Sequence, residues 1–295
     1  DSTQVHDVDK DETGFAAICD ALSGCSALNS INFSDIGMGP KGAVMMSSML
    51  RSKKLTAAIS RLVIGANPIG TEGAQALIDV LPQTQIEVLG IGKDLELNFV
   101  EECTSLDASN QGLLPGEVML MSYWLRSEKV IAAISLFDIS KNPIVKSSSG
   151  LGGGFGFGVA DQPADTSFQQ LCDALKLTQL QSLNLSEIGM GPKEAVMISS
   201  MLTSEELTAK LSSLTISSTG NPSKPKTYTI AEGMSELKLS NLNLGPADAV
   251  LISSLMTSAF GGNLTAAISL FDISGNFIFG SKLQYGDCGD NIHDV

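Results

Sequence analysis

With 295 residues, 43% of them hydrophobic, the chain has material for one large domain or two ordinary ones and is not a disordered polymer. Charged residues reach 17%, below the roughly 25% usual in soluble domains, and 18 Lys+Arg against 32 Asp+Glu leave a net −14. Nucleic acid and anionic membrane are therefore poor partners, because phosphate binding needs clustered cations.

The chain opens with an acidic lead-in, Asp7, Asp9, Asp11 and Glu12. Asp7-x-Asp9-x-Asp11 resembles the start of an EF-hand loop, but Glu12 stands at the sixth loop position and Ile18 at the twelfth. A calcium-responsive regulatory or sensor role for this segment stays as the alternative to a plain solvated lead-in. Phe15, Ile18 and Leu22 then share one face of a predicted helix. Leu28-x-x-Ile31-x-Phe33 alternates as a short strand, and Gly39-Pro40 opens a further helix over 41–51.

That Gly-Pro belongs to a column. Pro40, Pro115, Pro192 and Pro246 each follow a strand pattern and precede a serine by seven residues (Ser47, Ser122, Ser199, Ser253). Proline is favoured at the first helical position, so four equivalent helices are expected. Their inward faces are read as Ala43-Val44-Met45, Val118-Met119-Leu120, Ala195-Val196-Met197 and Ala249-Val250-Leu251.

A second strand type follows each of these helices. Its clearest form, Ala132 to Ser140, recurs letter for letter as Ala266 to Ser274. The inward positions expected to be buried include Phe137, Ile139, Phe271 and Ile273. The step between the two strand types is 31 residues in three cases, long enough for the crossover that parallel strands require.

Ile59-x-x-Leu62-x-Ile64-x-x-Asn67-Pro68-Ile69-Gly70-Thr71-Glu72-Gly73-Ala74-Gln75-Ala76-Leu77 resembles a leucine-rich repeat of the ribonuclease-inhibitor subtype. The resemblance extends in weaker form from about Phe15 to Ile278, with Asn142 and Asn276 at the asparagine position. It implies an α/β fold, a curved leucine-rich-repeat solenoid with a parallel β-sheet on the concave side and helices on the convex side. The asparagine is expected to bond backbone where the strand turns away. Departures occur at Ile36, Gln111, Ile188 and Leu242, and at Thr219. Residues 86–106 and 220–236 lack room or pattern for a helix, so irregularity is expected at both places.

Residues 15–67 align with 168–221, and 106–144 with 237–278. The chain thus divides into a four-strand module over 1–145, a Gly/Ser-rich insertion with an acidic lead-in over 146–167, a second module over 168–280, and a tail over 281–295 that reads as the start of a further module. Both His6-Asp7-Val8 and His293-Asp294-Val295 fit such a lead-in, and no polar cap is visible after Ile278. The expectation is a segment of a longer array, or a chain that abuts identical copies end to end.

Chemistry-bearing motifs are scarce. The glycine run at 150–158 holds no nucleotide fingerprint, and His6 and His293 are the only histidines. Cys19, Cys25, Cys103, Cys172 and Cys288 form no C-x-x-C pair and read as reduced thiols, which suits an intracellular protein. No cofactor, metal or membrane span is expected, and an enzyme would lack a positioned base.

One pair of columns remains. Asn32, Asp107, Asp138, Asn184, Thr215 and Asp272 are each followed two residues later by Ser34, Ser109, Ser140, Ser186, Ser217 and Ser274. In the implied fold both columns face the concave side, where relatives bind proteins. The plainer reading is a hydroxyl ladder that satisfies its neighbours, since Trp, Tyr and Arg anchors are almost lacking there. A non-enzymatic protein-binding or scaffold module in a larger assembly is the resulting expectation.

Overall fold

The computed structural model describes residues 9–145, 164–258 and 267–280. The elements run α1 (Thr13–Ser23), β1 (Ser30–Asn32), α2 (Pro40–Leu50), α3 (Lys53–Thr56), β2 (Arg61–Val63), α4 (Gly70–Val80), β3 (Val88–Ile91), β4 (Leu95–Asn98), β5 (Ser105–Asp107), α5 (Pro115–Leu125), α6 (Glu128–Ala133) and β6 (Leu136–Asp138). The second half gives α7 (Ala164–Leu175), β7 (Ser182–Leu185), α8 (Pro192–Met201), α9 (Glu205–Thr208), β8 (Ser213–Ser217), β9 (Thr227–Ala231), β10 (Glu236–Lys238), α10 (Pro246–Ser258) and β11 (Leu270–Asp272). Pro40, Pro115, Pro192 and Pro246 are the first residues of their helices, as the missing N–H of proline favours.

The expected single parallel sheet of a curved solenoid is not what the chain forms. Strands assemble into three open sheets, β1-β2-β3-β4, β5-β6-β7-β8-β9 and β10-β11. Two of these are mixed, because β3–β4 and β8–β9 are antiparallel. Both antiparallel pairs fall where the sequence lacks a helical pattern. Without a crossover the chain must double back, and the returning strand occupies the edge on which the next parallel strand would have grown. The sheet therefore stops at β4 and again at β9, and β5 and β10 start new ones.

At the first reversal Gly92 turns the chain with φ +63°. A Cβ on Gly65 would lie 1.8 Å from the Gly92 carbonyl oxygen, so only glycine allows that approach. Gln111 secures the turn from the next repeat, accepting from Lys93 N–H at 3.1 Å and, through its side chain, from Asp94 N–H at 3.0 Å.

One face of each sheet is apolar and meets the helices. The registered rows Ile31, Leu62, Leu89, Leu97 and Phe137, Leu183, Leu214, Ile230 are buried in one hydrophobic core with residues of α2, α4, α5, α7, α8 and α10. Successive helices pack on one another, α1 on α2, α2 on α4, α4 on α5, α5 on α7, α7 on α8 and α8 on α10. Two inward expectations fail. Val196 and Val250 are 54% and 52% exposed, because they sit one position round from the buried stripe that Ala195, Ile198 and Leu251, Leu255 form. Phe271 is 43% exposed and Ile273 half-buried, whereas Phe137 and Ile139 are buried. Phe271 lies on an edge strand of a two-stranded sheet, while β7 and β5 flank Phe137 on both sides.

The asparagine column acts as a clip. Asn67 Nδ2 donates to the carbonyls of Phe33 (2.7 Å) and Ile64 (2.9 Å), and its Oδ1 accepts from the N–H groups of Ile36 and Met38. Asn142 does the same toward Ala108, Ile139 and Leu113, and Asn276 toward Leu239, Ile273, Leu242 and Leu244. Each amide satisfies backbone groups of two consecutive turns that have no ladder partner.

Candidate functional site

Among the described residues no helix covers the second face of the five-stranded sheet. Along it the register aligns Asp107, Asp138, Asn184, Thr215 and Thr229 in one row across β5 to β9. All five side chains are exposed or half-buried, and neighbouring strands set them about 4.8 Å apart. A second row, Ser105, Leu136, Ser182, Ser213 and Ala231, lies two residues back on the same face.

Local chemistry fixes the first row. Asp107, Asp138 and Asn184 each accept the N–H of the serine two residues on, at 2.9, 2.8 and 3.1 Å. Asn32 and Asp272 do the same for Ser34 and Ser274, both at 2.9 Å. These Asx turns end the strands, and the next residue takes a left-handed conformation: Asp35, Asn110, Lys141, Glu187 and Gly275 all have φ between 53° and 70°. Across strands Asn184 Nδ2 donates to Asp138 Oδ2 at 2.8 Å, and the Thr215 and Thr229 hydroxyls bond at 2.8 Å. The row is thus a set of side chains with little rotamer freedom left to lose.

The hydroxyl and N–H of Ser109 hold the Asp107 carboxyl below the usual carboxylate range, and Ser274 does so for Asp272. Both are charged at neutral pH.

The two sequence columns part company here. The Asn/Asp column lies on the open face, but Ser140, Ser186 and Ser217 are buried in the turns. Ser217 Oγ accepts the Glu187 N–H at 2.9 Å, so its hydroxyl serves the neighbouring turn. Ser34 and Ser109 are half-buried and Ser274 is exposed. Asn32 sits on β1 and Asp272 on β11, in different sheets from the five-membered row. Sequence spacing could not assign these sheets, because it did not show where the two hairpins break the ladder.

A carboxylate column was missed. Glu117 and Glu194, in the first turns of α5 and α8, accept the N–H groups of Leu114 (3.0 Å) and Gly191 (2.8 Å) and are 4% exposed. Asp248 takes that place in α10 and also bonds Thr219, which stands at the asparagine position. Its Oδ2 accepts Gly245 N–H, Thr219 N–H and the Thr219 hydroxyl, and its Oδ1 accepts the Tyr228 hydroxyl. In α2 the position is Gly42, and Asp9 supplies the carboxylate from the lead-in, accepting from Gly39 (3.0 Å), Lys41 (2.9 Å) and Gly42 (3.3 Å). The signal was present as Pro-x-Glu, Pro-x-Glu and Pro-x-Asp in three of the four proline sites.

The acidic lead-in therefore has helix-capping duties. Asp11 accepts the Thr13 N–H at 3.0 Å, which lowers its pKa. Asp9 and Asp11 serve two different helices, and Asp7 lies outside the described residues. Among the described residues no cluster of three metal-ligating side chains occurs. Burial raises the Glu117 carboxyl to about 7 and the Cys172 thiol to about 12. Both groups lie in the helix layer, away from the open row.

The helical side holds a groove of about 600 Å³ between α2, α4, α5 and α7, lined by Pro40, Thr71, Glu72, Asp79, Met119 and Gln170 among others. Cys19, Cys25, Cys103 and Cys172 are free thiols. Among the described residues no helix is long and apolar enough to cross a membrane. No protein-family model matches the chain, and no curated protein matches it.

Proposed function

We propose that the chain is a non-enzymatic binding or scaffold module that receives a protein partner on the helix-free face of its five-stranded sheet. One observation carries this reading. Asp107, Asp138, Asn184, Thr215 and Thr229 stand in register on an uncovered face, already immobilised by turn and cross-strand hydrogen bonds. Ordered side chains lose less entropy when a partner docks. Charged Asp107 and a shared Asp138 carboxylate favour a partner presenting cationic or N–H donors, in keeping with the net charge of −14. The asparagine clips fulfil the role that the leucine-rich-repeat resemblance implies, which supports kinship at the level of the single repeat. The free thiols suit an intracellular setting.

The test is affinity capture from the native source with mass spectrometry, using the wild-type chain beside Asp107→Arg/Asn184→Arg. The wild type is expected to retain a protein that the double variant loses while its circular dichroism is unchanged. Equal capture by both would overturn the reading.

A further inference from the structure

The chain contains an internal junction whose two halves each recur elsewhere, with no described element joined to them in the same way. Inside the molecule α5 packs on α7, and β6 pairs in parallel with β7 through Leu136–Ser182, Phe137–Leu183 and Asp138–Asn184. The α10–β11 unit repeats α5–β6: Pro246 matches Pro115, and Leu270-Phe271-Asp272 matches Leu136-Phe137-Asp138. The α1–β1 unit repeats α7–β7: Phe15 to Leu22 matches Phe168 to Leu175 through Cys-Asp-Ala-Leu, and Ser30-Ile31-Asn32 matches Ser182-Leu183-Asn184. Among the described residues β1 and β11 each stand at the edge of their sheet.

Burial follows the junction position by position. On the α1–β1 side Ile18 is 48% exposed and its counterpart Leu171 0%; Ile36 is 51% exposed and its counterpart Ile188 0%. On the α10–β11 side Val250 is 52% exposed against 4% for Met119, and Phe271 43% against 2% for Phe137. Leu270 and Leu136, which point to the open sheet face, serve as the control: they are 41% and 46% exposed, alike at both places. The four compared pairs change and the open-face pair does not. Exposed apolar residues on a helix or loop beside a sheet edge, as Ile18, Ile36 and Val250 are, and on the edge strand itself, as Phe271 is, mark an association surface.

We infer that a second copy of this chain docks head to tail, its α1–β1 face on the first copy's α10–β11 face, in the register of the internal junction. That register aligns Leu270 with Ser30, Phe271 with Ile31 and Asp272 with Asn32, so Asn32 takes toward Asp272 the place that Asn184 has toward Asp138. Such an interface joins two different surfaces, and its repetition builds a chain of copies or closes a ring. The inference rests on the reading of the molecule as a binding module and names one of its partners.

Sedimentation velocity on the full chain tests it with Ile18→Glu and Phe271→Glu, both at exposed positions. Wild type is expected to gain mass with concentration, and each variant alone to stay a monomer. Mixed in equal amounts, the variants are expected to form a two-copy species and nothing larger, because each retains one intact half. A wild type that stays monomeric, variants that associate alone, or a mixture that stays monomeric would each overturn the inference. Neither substitution touches the row from Asp107 to Thr229. A wild type that stays monomeric while capture through that row is intact removes the head-to-tail inference alone, and self-association with capture unaffected by Asp107→Arg/Asn184→Arg removes the partner-binding reading alone.

Discussion

Thr219 donates both its backbone N–H and its hydroxyl to one oxygen of Asp248, at 2.9 and 2.7 Å, across 29 residues. This carboxylate ties the residue at the asparagine position to the next repeat and caps α10 as well. Asp248 and Thr219 are buried, and removing the acceptor leaves the buried Thr219 donors unsatisfied at about 1–3 kcal/mol each. Asp248→Ala is therefore expected to destabilise the chain by at least about 3 kcal/mol in urea melts, and a loss below about 1 kcal/mol would show that the network is not needed.

Asp9 holds α2 from outside the helix. Asp9→Ala should cost about 0.5–2 kcal/mol, the range for a lost N-terminal cap, measured by thermal unfolding. A loss below about 0.5 kcal/mol would count against the cap.

Phe137 and Phe271 occupy identical sequence settings but different surroundings. Phe137→Ala is expected to cost about 3–5 kcal/mol, as for other buried aromatic truncations. Phe271→Ala in the monomeric chain should cost less than about 1.5 kcal/mol, since much of the ring is already in water. Equal losses in denaturant would contradict the assigned burial.

That pair also shows what the sequence could and could not reveal. Helix starts were legible because proline has a local reason to stand there, and the asparagine clips because their bonds run to fixed neighbours in the repeat. Sheet continuity was not legible. Whether β4 and β9 would extend or close the ladder depends on hairpins that leave only a weak alternation, as in Leu95-Glu96-Leu97. Burial of Phe271 failed for the same reason, because nine identical letters say nothing of which strand lies alongside. The capping carboxylates were visible as Pro-x-Glu and went unused. The site row was found by column, but its membership required the register.

Glu117 makes stability fall with rising pH. Burial lifts its carboxyl from 4.5 to about 7, so between those values the folded chain keeps a proton that the unfolded chain has released. Its contribution is fully present below about pH 4.5 and is lost as pH rises through about 7. At about 1.4 kcal/mol for each pH unit the whole effect is about 3 kcal/mol. Glu117→Gln keeps an acceptor for the Leu114 N–H and should be more stable than wild type above pH 7, with the gain vanishing toward pH 4.5 in urea titrations. A pH-independent difference would refute the assignment.

The row on the open sheet face is tested most directly by carboxyl footprinting of the free chain against the chain captured in its native assembly. Asp107 and Asp138 are exposed and half-buried in the free molecule. Their labelling is expected to fall in the assembly, while that of Glu72 and Asp79 in the groove on the helical side stays unchanged. Labelling of Asp107 and Asp138 at the same rate in both states would contradict it.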